Sequence, residues 1–302
     1  MTSRSRVSGI RWAVHDYVVR MWDNAYEDDV LFLASGVSFD ILLAAIPFVI
    51  TLVSAVHVVL NLSPASSGIQ ITDILDRMLP PHSDAVGLPV HRIIDEALKA
   101  HHSLGIWSAL LFLFLSTRLF GSLRTVLAEV FDAPVRRGVI KGKIFDVKMT
   151  LFASALFVAN TILSAYLTIA RSRGVQILTD IGMGKGAMGS VEYAAGRLVA
   201  FVFLAVMFFA IYRYVPARRV RVRTAWVASA FTTVLFEVAK QLFSVFVRNF
   251  DTSSVYTGAL ATIVVVVVWV YYSAIVFILG GEVGQVFELR RTRRLQREVF
   301  TD

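Results

Sequence analysis

Long apolar runs alternate with short, arginine-rich polar stretches along this chain of 302 residues. Uncharged runs of about 18 residues or more predict bilayer-spanning helices, because about 20 residues at ~1.5 Å rise cover about 30 Å of hydrocarbon. The clearest run, residues 261–270, reads ATIVVVVVWV. The pattern predicts an all-α, polytopic membrane protein with six transmembrane helices. We place these helices at residues 30–60, 104–128, 147–170, 191–214, 224–247 and 256–286.

The composition favours a membrane protein over a soluble domain. Hydrophobic residues make up 56% of the chain and charged residues only 17%, whereas soluble domains carry roughly 25% charged residues. Cysteine is absent, which excludes disulfides, thiolate catalysis and thiolate metal ligands.

Lysine and arginine are concentrated in alternate loops. The N-terminal segment, the second and fourth loops and the C-terminal tail hold 20 of the 30 basic residues, and the other three loops hold 7. Basic residues favour the cytoplasmic side, so both termini are predicted to be cytoplasmic. The net charge of +8 is then explained by contact with anionic lipid headgroups. Membrane lipids are expected partners and nucleic acid is not.

The chain divides into three predicted regions. Residues 1–29 form a cytoplasmic N-terminal segment without the short apolar stretch of a cleavable signal peptide. Residues 30–287 form the transmembrane domain, and residues 288–302 form a basic cytoplasmic tail. The external loop 62–103 carries apolar residues at helical spacing, which predicts two short amphipathic helices at the outer interface. They act either as a structural lid or as a gate that contacts substrate.

Of the charged residues inside the predicted spans, four matter most. Asp40 lies on the first helix, Arg118 on the second, and Glu237 and Lys240 on the fifth. Intramembrane charges cost ~2.5–3.5 kcal/mol each on insertion scales. Asp40 and Arg118 have similar predicted depths and could pair. Glu237 and Lys240, three residues apart, could neutralise each other or reach the first pair. The four are either polar contacts that fix helix packing or a polar cavity that binds a substrate headgroup or relays protons.

Four further residues have predicted structural roles. Pro47 removes a backbone hydrogen bond inside the first helix and predicts a kink, which either shapes the bundle or acts as a hinge. Gly280 and Gly284 permit close helix approach, within the chain or in a dimer. Glu282 lies near the predicted cytoplasmic interface.

Enzyme signatures are absent from the sequence. The six histidines do not have zinc-ligand spacing, and no phosphate-binding loop, nucleophile elbow or dinucleotide fingerprint occurs. We therefore expect no catalytic residues, no metal and no cofactor.

Several motifs resemble a known bacterial family. They are LASGVSFDILLAAIPF with Phe39 and Pro47, STRLFGSLRTVL with Ser116, Arg118 and Leu123, YRYVPARRV with Tyr212, Pro216 and Arg219, LFSVFVRNF with Phe243 and Phe250, and a last helix with Gly258, Trp269, Tyr271, Gly280 and Glu282. On these residues the chain resembles the YihY/BrkB family of inner-membrane proteins. It departs from the family pattern at Asp40, where an aromatic residue is more common, and at Glu129, where Asn is frequent.

The resemblance implies a six-helix membrane protein linked to virulence and to export of lipid or lipopolysaccharide precursors. It therefore suggests a transporter or flippase for a lipid-linked or amphiphilic substrate. The alternative is a non-transporting scaffold that binds anionic lipid or a partner protein. The family's old label of ribonuclease BN suggests a third function, a membrane-associated nuclease, but the chain lacks the histidine motif of that enzyme.

Overall fold

The computed structural model describes residues 19–60, 84–133, 138–180, 185–248 and 255–299. Within these ranges the chain is helical apart from short turns and contains no strand, which confirms an all-α fold. The described part of the N-terminal segment, residues 19–29, is helical at residues 19–27 and precedes the six long helices. These are α1 (Val30–Leu60), α2 (Asp84–Val130), α3 (Val139–Asp180), α4 (Lys185–Tyr214), α5 (Val222–Arg248) and α6 (Val255–Val299).

Among the described residues, three helices contain a stretch long and apolar enough to cross a membrane. These stretches are Trp107–Val130 in α2, Val222–Val247 in α5 and Ile263–Arg291 in α6, and α1 and α4 add shorter apolar stretches. Large apolar side chains such as Phe114 and Leu242 point outward, as contact with lipid requires. The number of six spans and the orientation stay predictions.

Four helices, α2, α3, α4 and α6, are clearly longer than the sequence pattern predicted. The second of the two predicted amphipathic helices does not form a separate element, because α2 begins at Asp84 and continues into the span. Residues 90–103 contain no glycine or proline that would end it. The first predicted amphipathic helix lies outside the described residues. In the basic tail, α6 continues to Val299 for the same compositional reason.

The core of the bundle lies where α1, α2 and α6 meet, and α4 and α5 pack against α6. Tyr212 connects three of these helices. Its hydroxyl donates to the Phe277 carbonyl at 2.5 Å and lies 2.8 Å from the Thr232 hydroxyl. Its ring stacks on Phe277 with the centroids 5.1 Å apart. The buried hydroxyl of Tyr212 therefore has hydrogen-bond partners inside an apolar core.

The glycines of α6 permit close approach, as predicted, and the helix that approaches is α5 of the same chain. A Cβ on Gly280 would lie 1.7 Å from the Thr232 hydroxyl oxygen, and one on Gly284 would lie 3.0 Å from the Ala228 Cβ. Because α5 fills this face, the face cannot also receive a second copy of the chain.

The backbone of α1 remains helical through Pro47. The hydroxyl of Thr51 donates to the Pro47 carbonyl at 2.7 Å, which supports the helix one turn later. A hinge at this proline stays a prediction.

Candidate functional site

The structure brings Asp40 and Arg118 together at the contact between α1 and α2. Arg118 Nε lies 2.7 Å from Asp40 Oδ1, and the Ser122 hydroxyl donates to Oδ2 at 2.5 Å. The Asp40 side chain is only 4% exposed, and two groups of α2 contact its carboxylate. Sequence reasoning missed Ser122, although its place one turn after Arg118 on the same helix face was the available signal.

The guanidinium of Arg118 faces outward from the bundle. Its side chain is 58% exposed, although the residue lies in the middle of the apolar stretch Trp107–Val130. Its Cζ lies 5.6 Å from the centroid of the exposed Phe39 ring, a cation–π contact. Beside it, Phe114 is exposed and a Cβ on Gly36 would meet no atom within 4 Å. We call Gly36, Phe39, Phe114 and Arg118 the α1–α2 face.

The second pair lies within α5. Lys240 Nζ is 2.6 Å from Glu237 Oε1, and both side chains are largely buried. The ammonium also lies 5.8 Å from the centroid of Phe236. Close by, α5 and α6 line an open apolar pocket of about 320 Å³ whose lining includes Phe243, Trp269 and Tyr272.

The four intramembrane charges form two pairs on different parts of the bundle. α1 and α2 pack chiefly against each other and against α6, whereas α5 packs against α4 and α6. Of the two arrangements considered for Glu237 and Lys240, the structure has the one in which they neutralise each other. Whether either pair handles substrate stays a prediction.

A third ion pair was not foreseen from the sequence. Arg124 Nη1 on α2 lies 2.9 Å from Asp146 Oδ1 on α3. Asp146 is fully buried, and Gly142 leaves room for the arginine because a Cβ there would lie 2.8 Å from Nη1. The sequence pattern counted Arg124 among the basic residues of the second loop and its flanking helix ends, so only its contacts show that it joins two helices.

A group of acidic and amide side chains surrounds Glu282. This side chain is fully buried in α6, with Asp28 and Asn24 of the N-terminal region nearby. One turn later Gln285 Nε2 donates to Asp132 Oδ2 at 2.6 Å. Glu282 was predicted near an interface, and the structure places it inside the bundle among other acceptors.

The comparisons with known proteins identify the family. The model of the family described as virulence factor BrkB matches residues 21–299. The chain belongs to the virulence factor BrkB family. The resemblance drawn from the sequence motifs is therefore confirmed.

Relatives of this BrkB-family protein carry the name UPF0761 membrane protein. The one from Alteromonas mediterranea is 26% identical over 90% of this chain and 89% of its own length. The one from Pseudoalteromonas atlantica is 27% identical over 90% and 86%, and the one from Aeromonas salmonicida is 35% identical over 40% and 38%. No solved structure matches the chain. Family membership and the apolar helices together establish a membrane protein.

The pKa of Asp28 gives this BrkB-family protein a predicted pH dependence. Burial raises the pKa of this carboxyl above its ordinary value of 3.8, and Glu129 and Asp132 raise it further. The folded protein therefore keeps the proton over a pH range in which the unfolded chain has lost it. The stability that Asp28 contributes is complete below its unfolded pKa and is lost as pH rises through its folded pKa.

We expect Asp28→Asn to be more stable than the wild type at neutral pH, because the variant stays neutral without holding a proton. The two proteins should become equally stable below about pH 4, where the wild-type carboxyl is protonated in both states. Melting temperatures measured against pH in a sodium-free choline buffer check this. A variant that is less stable than the wild type at neutral pH would contradict it.

Proposed function

We propose that this BrkB-family protein moves anionic, lipid-linked amphiphiles across the membrane, with the headgroup passing along the α1–α2 face. The observation that carries the proposal is the exposed guanidinium of Arg118 in the middle of an apolar span. An arginine that faces acyl chains at that depth costs several kcal/mol, so such residues face water or a polar ligand. A lipid headgroup that enters the bilayer laterally supplies that ligand.

The ion pair of Arg118 with Asp40 uses only one of the three guanidinium nitrogens. Asp40 engages Nε, and within the described ranges no protein acceptor is found for Nη1 or Nη2. These two nitrogens can donate to a phosphate in the bidentate geometry that distinguishes arginine from lysine. Asp40, itself held by Ser122, keeps the guanidinium in place, which lowers the cost of ordering it when the headgroup arrives.

The remainder of the α1–α2 face suits the apolar part of the same substrate. Phe39 and Phe114 are exposed and can contact acyl chains, while the absence of a side chain at Gly36 leaves open space on α1. A charged group bordered by aromatic rings on a lipid-facing surface supports a lipid pathway over an aqueous channel, because the acyl chains can stay in the bilayer as the headgroup moves.

Lipid translocation in reconstituted vesicles tests the proposal. Vesicles containing the purified protein and fluorescent phosphatidylglycerol or phosphatidylcholine are bleached from outside with dithionite, and the protected fraction is followed over time. We expect the wild type to accelerate phosphatidylglycerol movement. Arg118→Gln should slow it by at least about tenfold, the equivalent of one lost charge-assisted contact of ~1.5–3 kcal/mol. Arg118→Lys should fall between the two because it keeps the charge but loses the bidentate geometry.

The double variant Glu237→Gln/Lys240→Gln is the matched control, since it removes the other intramembrane pair and should keep wild-type rates. Wild-type vesicles that flip lipid no faster than protein-free vesicles would overturn the proposal. Binding of phosphatidylglycerol without movement would instead support the membrane scaffold. Equal losses in Arg118→Gln and in the double variant would exclude the α1–α2 face as the pathway.

A further inference from the structure

Three buried acceptor oxygens on one turn of α6 have no donor. Neither carboxylate oxygen of Glu282 nor the Oε1 atom of Gln285 has a hydrogen-bond partner among the described residues. Glu282 is fully buried and Gln285 is 7% exposed. A buried acceptor without a partner costs about 1–3 kcal/mol, and an ionised one costs more. A bound cation would offset this cost.

The surrounding side chains add negative charge and no donor that satisfies these oxygens. Asp28 and Asn24 lie close enough to Glu282 to interact with it, yet neither completes a hydrogen bond of ordinary geometry to the carboxylate. Gln285 is held by the hydrogen bond from its Nε2 to Asp132 Oδ2, which fixes the carboxamide and leaves Oε1 directed elsewhere. The acidic neighbours come from three different parts of the chain, namely the N-terminal segment, the end of α2 and α6.

We propose that Glu282, Gln285 and Asp28 form a binding site for a monovalent cation, which is taken by Na⁺ or by a proton. Na⁺ accepts a mixed shell of carboxylate and carbonyl oxygens, such as discontinuous membrane helices offer. A divalent metal fits less well, since the described part of the chain has no group of three or more His, Asp or Glu side chains positioned to hold one. A proton would satisfy the same oxygens by converting the carboxylate into a donor.

A small cavity lies beside the proposed site. It has a volume of about 90 Å³, and its lining includes Arg20 and Asn24 of the N-terminal segment and Arg290 of α6. Asn24 also lies close to Glu282, so the cavity and the proposed site share this residue. The positive charge of the two arginines would slow the approach of a cation through this cavity.

Further acidic side chains lie around the proposed site. Glu129 and Asp132 on the α2 side and Glu27 on the N-terminal side all act on Asp28, whose pKa is raised, chiefly by burial. Bound cation would neutralise part of this charge and hold the N-terminal segment, the end of α2 and α6 together. The proposed cation site does not depend on the proposed lipid pathway.

Melting of the purified full chain in detergent, followed by tryptophan fluorescence, tests the site without any transport assay. One arm compares NaCl with choline chloride at equal ionic strength and about pH 8, where carboxyls are normally ionised. The other arm varies pH in choline alone, so that the proton is the only small cation offered. For a cation at about one hundred times its Kd, we expect the wild-type melting temperature to rise by about 5 °C. In the sodium-free arm the wild type should lose stability as pH rises.

Glu282→Gln should abolish the response to Na⁺ because the amide cannot ionise, and it should reduce the response to pH to the part that Asp28 contributes. Glu288→Gln is the matched control on the same helix, since Glu288 pairs with the exposed Arg218, and it should respond like the wild type. Should Glu282→Gln fail to fold, Gln285→Met removes a ligand oxygen and Asp28→Asn removes a negative charge, and each should weaken the response at least about threefold in apparent Kd. A response only to Na⁺ or only to pH supports the site and names its ion. No response in the wild type, or an undiminished one in these variants, would overturn the proposal.

Discussion

Replacing Arg124 with methionine is expected to destabilise the protein by about 3–5 kcal/mol, the usual cost of removing one partner of a buried ion pair. Asp146 is fully buried and lies 2.9 Å from the guanidinium, so the variant leaves its charge without its arginine inside the bundle. Because the pair joins α2 to α3, the loss should also loosen the contact between these helices. Unfolding free energies from denaturant titration in mixed micelles check the prediction.

Arg218→Met is the matched control for this prediction. Arg218 also lies 2.9 Å from a carboxylate, that of Glu288, but its side chain is 62% exposed. Exposed ion pairs contribute about 0–1 kcal/mol, so this variant should lose less than about 1 kcal/mol. The double variant Arg124→Met/Asp146→Leu should recover much of the loss because no buried charge remains unpaired. Equal losses in the two arginine variants would show that Asp146 does not depend on Arg124.

Gly280→Ala is expected to destabilise the protein by about 1–3 kcal/mol or more, the range found for overpacked cores. The new methyl group would lie 1.7 Å from the Thr232 hydroxyl oxygen and 2.6 Å from the Tyr212 hydroxyl. Either α5 must move away from α6 or the hydrogen bonds of Tyr212 must break, and both responses disturb the core.

Gly36→Ala provides the control, since a Cβ there would meet no atom within 4 Å. A glycine in a helix is about 0.5–1 kcal/mol less favourable than alanine, so this variant should be as stable as the wild type or slightly more stable. Melting temperatures of both variants in one detergent measure the difference. In a Thr232→Ala background the penalty at Gly280 should shrink, because the closest atom is gone. A Gly280→Ala variant as stable as Gly36→Ala would contradict the packing described for α5 and α6.

The sequence by itself determined the features that depend on the length of apolar runs and on the spacing of residues within one helix. Apolar length predicted α5 at residues 224–247, and the structure has Val222–Arg248, because hydrophobic length is set by the thickness of the bilayer. The two intramembrane ion pairs could also be predicted from positions along the chain. Glu237 and Lys240 are three residues apart on one helix, and Asp40 and Arg118 share a depth when rise per residue is counted from the ends of their helices.

Only the tertiary structure decided which helices are neighbours and which faces they turn to each other. Lipid-exposed and buried faces of a membrane helix are both apolar, so hydrophobic periodicity carries little information about lateral arrangement. The separation of the two intramembrane pairs, the pairing of Arg124 with Asp146 and the outward direction of Arg118 all depend on that arrangement. The surroundings of Glu282 depend on the same lateral arrangement. In the sequence it is a single acidic residue near a predicted interface, whereas in the structure it is buried beside acceptors from distant parts of the chain.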